Sequence, residues 1–203
     1  MQRIVAVTAL LFLSLAEPAL AKPKLALIID DLGYDMMPRE IAALPSEISV
    51  SVIPFTEFDT AVTLSALSQQ REVLLHLPMQ SPDGTPQEPN SLTLNMSKEE
   101  MQARVKEALY RVPQVVAVNN HMGSLLTQHQ EPMHWLMELL ESREIGFIDS
   151  RTTQVPWRNA WRKNTALPTI VVMCFSIISP MKRLSSANSS LRFNKRRNVA
   201  QPW

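Results

Sequence analysis

The sequence predicts an α/β fold in which parallel strands alternate with crossover helices, arranged as a barrel or as an open sheet. Strand-like and helix-like segments alternate about five times between residues 24 and 152, which is typical of parallel sheets. Polar residues gather where the strand-like segments end. The chain has 203 residues, 45% of them hydrophobic and 19% charged, which suits one globular domain with a full core.

The first half of this pattern contains two strands and two helices. "KLALIID" (24–30) is apolar almost to its end, and "ISVSVIPF" (48–55) alternates and is rich in β-branched residues, so both are predicted as strands. Residues 38–44 predict a short helix between them. Residues 58–70 predict a longer helix, with Thr56 available as its N-cap.

The middle of the chain continues with a strand, a long loop and a helix. "EVLLHLPM" (72–79) predicts a third strand, and a proline-rich segment follows it. Loops of this length are uncommon in compact domains and often line a site. Ser97 followed by Glu100 predicts a capping box for a helix that runs to about Arg111.

The last predicted elements are a strand, a helix and a strand, at 115–124, 131–144 and 145–152. The apolar residues of this helix recur at helical spacing and are predicted to lie in the core: Met133, Leu136, Met137 and Leu140. His129 and His134 lie before and within the same helix, and are predicted to be surface or packing residues.

The polar residues at the predicted strand ends form the candidate site. They are Asp30, Asp31, His76, Asn119, Asn120, His121 and Asp149. Parallel strands in α/β folds place their carboxyl ends at one edge, where active sites form. These side chains are therefore expected to meet at that edge.

Asp and His side chains from three strand ends suffice to hold a divalent metal ion, because a catalytic site needs about three protein ligands and an open position. Oxygen and nitrogen ligands favour zinc, and other transition ions also fit. A cation relieves the repulsion between Asp30 and Asp31, so one can bind the metal while its neighbour accepts a proton from water. Taken singly, each residue also fits a structural role in a turn or a hydrogen bond; their coincidence at one edge favours a site.

Four segments resemble a known family: "LALIIDDLGY", "EVLLHLPMQ", "VNNHMGS" and "GFIDSRTT". In this order and spacing they resemble the divergent polysaccharide deacetylases of the bacterial envelope, over about residues 24–153. The resemblance implies an α/β fold, a distorted (β/α) barrel of the glycoside hydrolase and deacetylase type, here incomplete after about the fifth strand. Mainstream deacetylases carry their two metal-binding histidines in one motif, whereas here the two histidines come from two strands.

The resemblance also implies site residues and an activity. It assigns three metal ligands: Asp31, His76 and His121. It assigns Asp30 as the catalytic base, and Asn119, Asn120 and Asp149 are then expected to bind the carbohydrate substrate. The implied reaction is metal-dependent removal of an N- or O-acetyl group from an envelope polysaccharide or related sugar.

Two other functions fit parts of the sequence. A non-catalytic carbohydrate-binding protein would use the same cleft without chemistry. A glycoside hydrolase would need two carboxylates across a sugar bond, for which Asp30 and Asp149 are candidates, but the histidines would then be idle.

Residues 1–21 have the layout of a secretory signal peptide, with an early Arg3, an apolar run and small residues before the cleavage site expected after Ala21. The apolar run is too short for a spanning helix, which needs about 20 residues. The sequence thus predicts a periplasmic protein with no membrane span after cleavage. Its single Cys174 can form no internal disulfide.

Charge is distributed unevenly along the chain. Residues 1–149 contain ten basic and all 19 acidic residues, a net charge of 10 − 19 = −9, whereas the remainder contains ten basic residues and no acidic one. A basic tail can bind nucleic acid, anionic lipid or another anionic polymer. This tail lacks amphipathic spacing, which favours a different explanation, and no nucleic-acid partner is expected.

A shifted reading frame would explain the basic composition of the tail. "VVMCFSIISPMKR" (171–183) can be written in codons that, moved by one base, read Arg-Arg-Asp-Val-Phe-Leu-Asp-Asn-Ile-Pro-Asp-Glu-Thr, and the family has a similar segment at this position. We predict that residues 154–203 are an aberrant basic tail, disordered or out of frame. The family's late catalytic histidine is then missing, since no histidine follows His134, and the product is expected to be unstable or inactive.

Overall fold

The computed structural model describes residues 24–82, 86–152 and 170–176. The predicted signal peptide with its cleavage site, and residues 153–169 and 177–203, lie outside the described residues. No helix in the described part of the chain is both long enough and apolar enough to cross a membrane.

The described strands form one sheet, and all adjacent strands are parallel. They are β1 (Lys24–Leu32), β2 (Ser49–Val52), β3 (Val73–Met79), β4 (Ala117–Met122), β5 (Gly146–Ile148) and β6 (Ile170–Ser176). Their order across the sheet is β5-β4-β3-β2-β1-β6. The predicted α/β fold with parallel strands is confirmed. Within the described residues β5 and β6 are the two edges, so the curled sheet is an incomplete barrel.

The helices connect successive strands. They are α1 (Arg39–Ala42), α2 (Asp59–Ser68), α3 (Lys98–Arg111) and α4 (Gln130–Glu141), and a 3-10 turn covers Leu126–Gln128. The predicted capping box of α3 is present: the Ser97 hydroxyl accepts the Glu100 amide, and the Glu100 carboxylate accepts the Ser97 amide. The prediction of Thr56 as the cap of α2 is wrong, because Phe58 occupies that position and Thr56 donates to the Ile53 carbonyl.

β6 extends the sheet beyond the five predicted strands. It pairs with β1 along its whole length, from Lys24 opposite Ile170 to Asp30 opposite Ser176. This strand lies within the segment predicted as an aberrant tail. Its backbone is explained by the β-branched run at 170–172 and by the free edge of β1, which favours the addition of a strand.

The main core lies between the outer face of the sheet and the helices. β3 is buried along its whole length, as expected of a central strand covered on both faces. The predicted core residues Met133, Leu136 and Leu140 of α4 are fully buried, whereas Met137 is only partly buried. His129 and His134 are exposed, as predicted. A smaller cluster of Ile28, Leu74 and Ala117 covers the inner face of the sheet.

Candidate metal centre

The candidate site lies on the inner face of the sheet, directly above the small apolar cluster. Side chains alternate between the two faces of a strand, so residues two apart share a face. On β3, His76 follows Leu74 on the inner face, and on β4 Asn119 follows Ala117. The register sets His76 beside Asn119. His121 is the next inward residue of β4, at the carboxyl end of the strand.

β1 departs from strict alternation at its two aspartates. The register between β1 and β2 shifts between Ile29 and Leu32, and Asp31 has a φ of 65°, in the left-handed region. An irregularity of this kind bends the strand and re-aims its side chains. Asp30 and Asp31 therefore both reach the inner face, although neighbours in a regular strand would point to opposite faces. The left-handed conformation costs about 1–3 kcal/mol for a residue other than glycine, and such strain concentrates at functional sites.

Asp31, His76 and His121 converge at this point. Asp31 Oδ1 lies 3.0 Å from His76 Nε2 and 3.0 Å from His121 Nδ1. One potential ligand atom from each residue lies within 4.8 Å of the others. The two imidazole rings meet edge to face, with centroids 4.9 Å apart.

Asn119 joins the second aspartate to this cluster. It is fully buried, and its Nδ2 donates to Asp30 Oδ1 at 2.8 Å. Its Oδ1 accepts the Ser51 hydroxyl and lies 2.9 Å from His76 Nδ1. Because this amide oxygen can only accept, Nδ1 of His76 carries the proton in the hydrogen bond. Asn119 thus orients both His76 and Asp30.

With this tautomer, a positive charge between His76 and Asp31 is stabilising. A neutral His76 with its proton on Nδ1 would turn the lone pair of Nε2 toward Asp31 Oδ1, and two acceptors at 3.0 Å repel each other. A proton or a metal cation between them removes the repulsion. Without a metal the proton is favoured: burial lowers the pKa of His76, but the hydrogen bond to Asp31 and the charges of Asp30 and Asp31 outweigh burial and raise the pKa above its ordinary value.

The three side chains fit a metal ion. They supply one carboxylate oxygen and two imidazole nitrogens, a set that zinc and related transition ions accept. Bonds of 2.0–2.1 Å at tetrahedral angles would place neighbouring ligand atoms roughly 3.3 Å apart. The two distances of 3.0 Å around Asp31 Oδ1 are close to that spacing. Three ligands would leave a further position for water, as catalytic sites require.

Two of the predicted site residues lie apart from this cluster. Asn120 falls on the outer face of β4 by alternation, where its amide contacts the Met122 carbonyl, the Thr152 hydroxyl and the Ser150 amide. It therefore ties the end of β4 to the segment after β5. Asp149 lies in that segment and accepts the Arg151 amide at 2.7 Å. Substrate binding by either residue stays a prediction, as it does for the buried Asn119.

Three residues at the site escaped the sequence reasoning. Ser51, which holds Asn119, is fully buried, although the alternation Ser-Val-Ser-Val of β2 favours an exposed polar face from the sequence alone. Glu88 comes from the proline-rich loop, and its Oε1 lies 3.8 Å from His121 Nε2. Tyr34 follows β1; partial burial and its interaction with the negatively charged Glu88 raise the pKa of the phenol. Glu88 belongs to no recognisable local pattern, and Tyr34 ends the segment "LALIIDDLGY" but was assigned no role.

The fold and the cluster together define an α/β protein with an incomplete parallel barrel and an Asp/His/His group at the carboxyl ends of its strands. The sequence matches the divergent polysaccharide deacetylase family over residues 27–175. The chain therefore belongs to that family, and the resemblance drawn from the four motifs is confirmed. The match extends beyond those motifs and includes most of β6.

Two curated proteins are similar to this chain in sequence. The chain is 40% identical to an uncharacterized protein of Haemophilus influenzae over 133 residues, which are 65% of this chain and 48% of that protein. It is 39% identical to the uncharacterized protein YibQ of Escherichia coli K12 over 141 residues, 69% of this chain and 44% of YibQ. The chain spans about half the length of these curated relatives.

The fold itself has a solved counterpart. The crystal structure of the uncharacterized protein ATU2773 from Agrobacterium tumefaciens superposes with a TM-score of 0.62 at 18% identity. It covers 68% of this chain and 57% of that one. At this identity the likeness establishes the fold alone.

Proposed function

We propose that this protein is a metal-dependent hydrolase that removes acetyl groups from an envelope polysaccharide or a related sugar. Membership of the family supports a deacetylase-like, carbohydrate-related role. The observation that carries the finer proposal is the convergence of Asp31, His76 and His121, with the second aspartate beside them. A glycoside hydrolase is disfavoured, because Asp30 contacts this cluster whereas Asp149 bonds a turn at the sheet edge.

The side chains have distinct roles in this proposal. Asp31, His76 and His121 would hold the ion, with zinc favoured, and the ion would supply an activated water and polarise the acyl carbonyl. Asp30 accepts a proton from the attacking water. Asn119 holds one oxygen of Asp30 in place, and the same amide fixes the tautomer of His76. A single buried residue thus orients both the base and a ligand.

The second candidate is a non-catalytic carbohydrate-binding protein. It is favoured by the burial of Asp30, whose side chain is 6% exposed and whose Oδ1 is engaged by Asn119. A carboxylate in this position can orient His76 without accepting a proton from water. Metal retention without hydrolysis would support this candidate.

Export and the nature of the tail are part of the proposal. We propose that residues 1–21 direct the chain to the periplasm and are removed after Ala21, which N-terminal sequencing of the exported protein would test. We propose that the basic segment beyond the family match and β6, after residue 176, arises from a shifted reading frame. Sequencing the gene would reveal an intact alternative frame, and its absence would refute the shift.

The central experiment measures metal content and hydrolysis in the same preparation. Purified protein is loaded with zinc, freed of excess metal, and analysed by mass spectrometry and on a panel of N- and O-acetylated glycans. His121→Ala is the test variant, and His129→Ala is its matched control because His129 is exposed and outside the cluster. We expect one ion per chain, lost in His121→Ala and kept in His129→Ala. Acetate release is expected only from the proteins that keep the ion.

The outcomes separate the candidates. Metal without acetate release on any glycan would favour the carbohydrate-binding protein. Folded protein without metal would remove the assignment of Asp31, His76 and His121. Unfolded protein would point to the tail, and the reading frame would then be examined first.

A further inference from the structure

We infer that Glu88 is a positioning residue for the His121 ring and fixes which of its nitrogens faces the metal position. The inference rests on the proposed metal site and concerns a residue outside the ligand set. It predicts that His76 and His121 turn different ring nitrogens toward the metal position. The opposite nitrogen of each ring is then held by a different partner.

The two imidazole rings turn different nitrogens toward Asp31. His76 turns Nε2 toward Asp31 and keeps Nδ1 on Asn119. His121 turns Nδ1 toward Asp31, so its Nε2 points away from the cluster. A metal-binding imidazole almost always donates its other ring N–H to a carboxylate, a carbonyl or water, which sets the tautomer and the ring orientation. For His121 that partner must lie on the Nε2 side.

Glu88 lies on that side. Its Oε1 is 3.8 Å from His121 Nε2, about 1 Å beyond a hydrogen bond. Both side chains are largely shielded, with 17% of His121 and 26% of Glu88 exposed. A small rotation of the glutamate closes the remaining distance once the proton of His121 is settled on Nε2.

Tyr34 is a second neighbour of Glu88. The two side chains interact closely enough for Glu88 to raise the pKa of the Tyr34 phenol, so the loop after β1 lies beside the loop after β3. The Glu88 carboxylate thus lies between the phenol of Tyr34 and the ring of His121.

The test measures zinc affinity of the full chain by competition with a chromophoric chelator. Glu88→Ala, Glu88→Gln and Tyr34→Phe are compared with Glu57→Gln, a control that removes an exposed carboxylate from the same edge of the sheet. Loss of such an outer partner typically costs 10- to 100-fold in metal affinity. We expect about a tenfold loss in Glu88→Ala, smaller losses in Glu88→Gln and Tyr34→Phe, and wild-type affinity in Glu57→Gln.

A second readout reports the tautomer directly. Nitrogen-15 NMR of the zinc-loaded protein should show a proton on Nε2 of His121, and this proton should exchange faster with water in Glu88→Ala. Zinc binding in the wild type with Glu88→Ala equal to the Glu57→Gln control would overturn the inference and leave the proposed metal site intact. Absence of zinc from folded wild-type protein would remove the metal site, and the inference with it.

Discussion

The two histidines of the cluster lie in different kinds of surroundings. His76 sits in the floor of the site on the central strand β3, and its side chain is 4% exposed. Its Nδ1 is fixed by Asn119, which is in turn fixed by Ser51 on β2 and bonded to Asp30 on β1. His121 sits at the rim, where β4 ends, and its outer nitrogen faces a glutamate from a loop.

The two histidines are therefore expected to contribute differently to metal binding. The floor is held by adjacent strands of one sheet, so its geometry is as rigid as the core beneath it. The rim is held by side chains from loops, which adjust at little cost. We expect the floor to determine whether a metal site forms, and the rim to tune its affinity and its access to substrate. Substitutions in the two regions should therefore differ in kind.

The largest effect is expected from His76→Ala. It removes a ligand and also opens a buried space beside Asn119, so zinc affinity should fall by more than about 100-fold and stability by about 2 kcal/mol or more. His121→Ala should lose a similar factor in affinity with little change in stability, because the rim residue is partly exposed. Urea unfolding of both metal-free variants checks this contrast; equal losses of stability would contradict the division into floor and rim.

A smaller effect is expected from Asn119→Ala. All ligands remain, but Asp30, His76 and Ser51 each lose a buried hydrogen bond, at about 1–3 kcal/mol of stability for the groups left unsatisfied. Zinc affinity should fall by about 10- to 100-fold, since Nδ1 of His76 is no longer held. Zinc affinity in Asn119→Ala equal to the wild-type value would show that Asn119 does not orient His76.

Much of this arrangement could be predicted from the sequence because strand ends leave a clear signal. Apolar runs that stop at polar residues placed Asp31, His76 and His121 at one edge, and the structure brings these three together. Counting alternation along "VNNHM" would also have separated Asn120 from its neighbours Asn119 and His121. The parallel direction of the five strands followed from their alternation with helices.

The remaining features depend on tertiary structure. The bulge that turns Asp31 inward is a matter of register between β1 and β2, and no single-strand pattern reveals register. Glu88 reaches the site from an irregular loop, whose path is set by contacts distant in sequence. β6 was missed because the composition around it indicated an aberrant tail, whereas its pairing depends on the open edge of β1.

A pH effect on stability is expected in the metal-free protein. Because the pKa of His76 is raised in the folded state, the folded protein binds this proton more tightly than the unfolded chain does. The resulting stabilisation is fully present below about pH 6.5, the unfolded value, and is lost as the pH rises through the folded pKa. Urea unfolding in EDTA between pH 5 and pH 9 measures it. His76→Gln should flatten this dependence, whereas the exposed control His129→Gln should keep it; an unchanged slope in His76→Gln would assign the proton elsewhere.

The smallest effect is expected from Asp149→Asn, at the edge of the sheet. The amide keeps an acceptor for the Arg151 backbone N–H, so stability should change by less than about 0.5 kcal/mol. Zinc affinity should change by less than about twofold, because the carboxylate contacts this turn and belongs to neither floor nor rim, and exposed charges are screened. If Asp149 binds the sugar, as the sequence predicts, KM for an acetylated glycan rises while zinc affinity stays constant. A tenfold loss of zinc in Asp149→Asn would instead place this residue in the metal site, and the division of the site would have to include the end of β5.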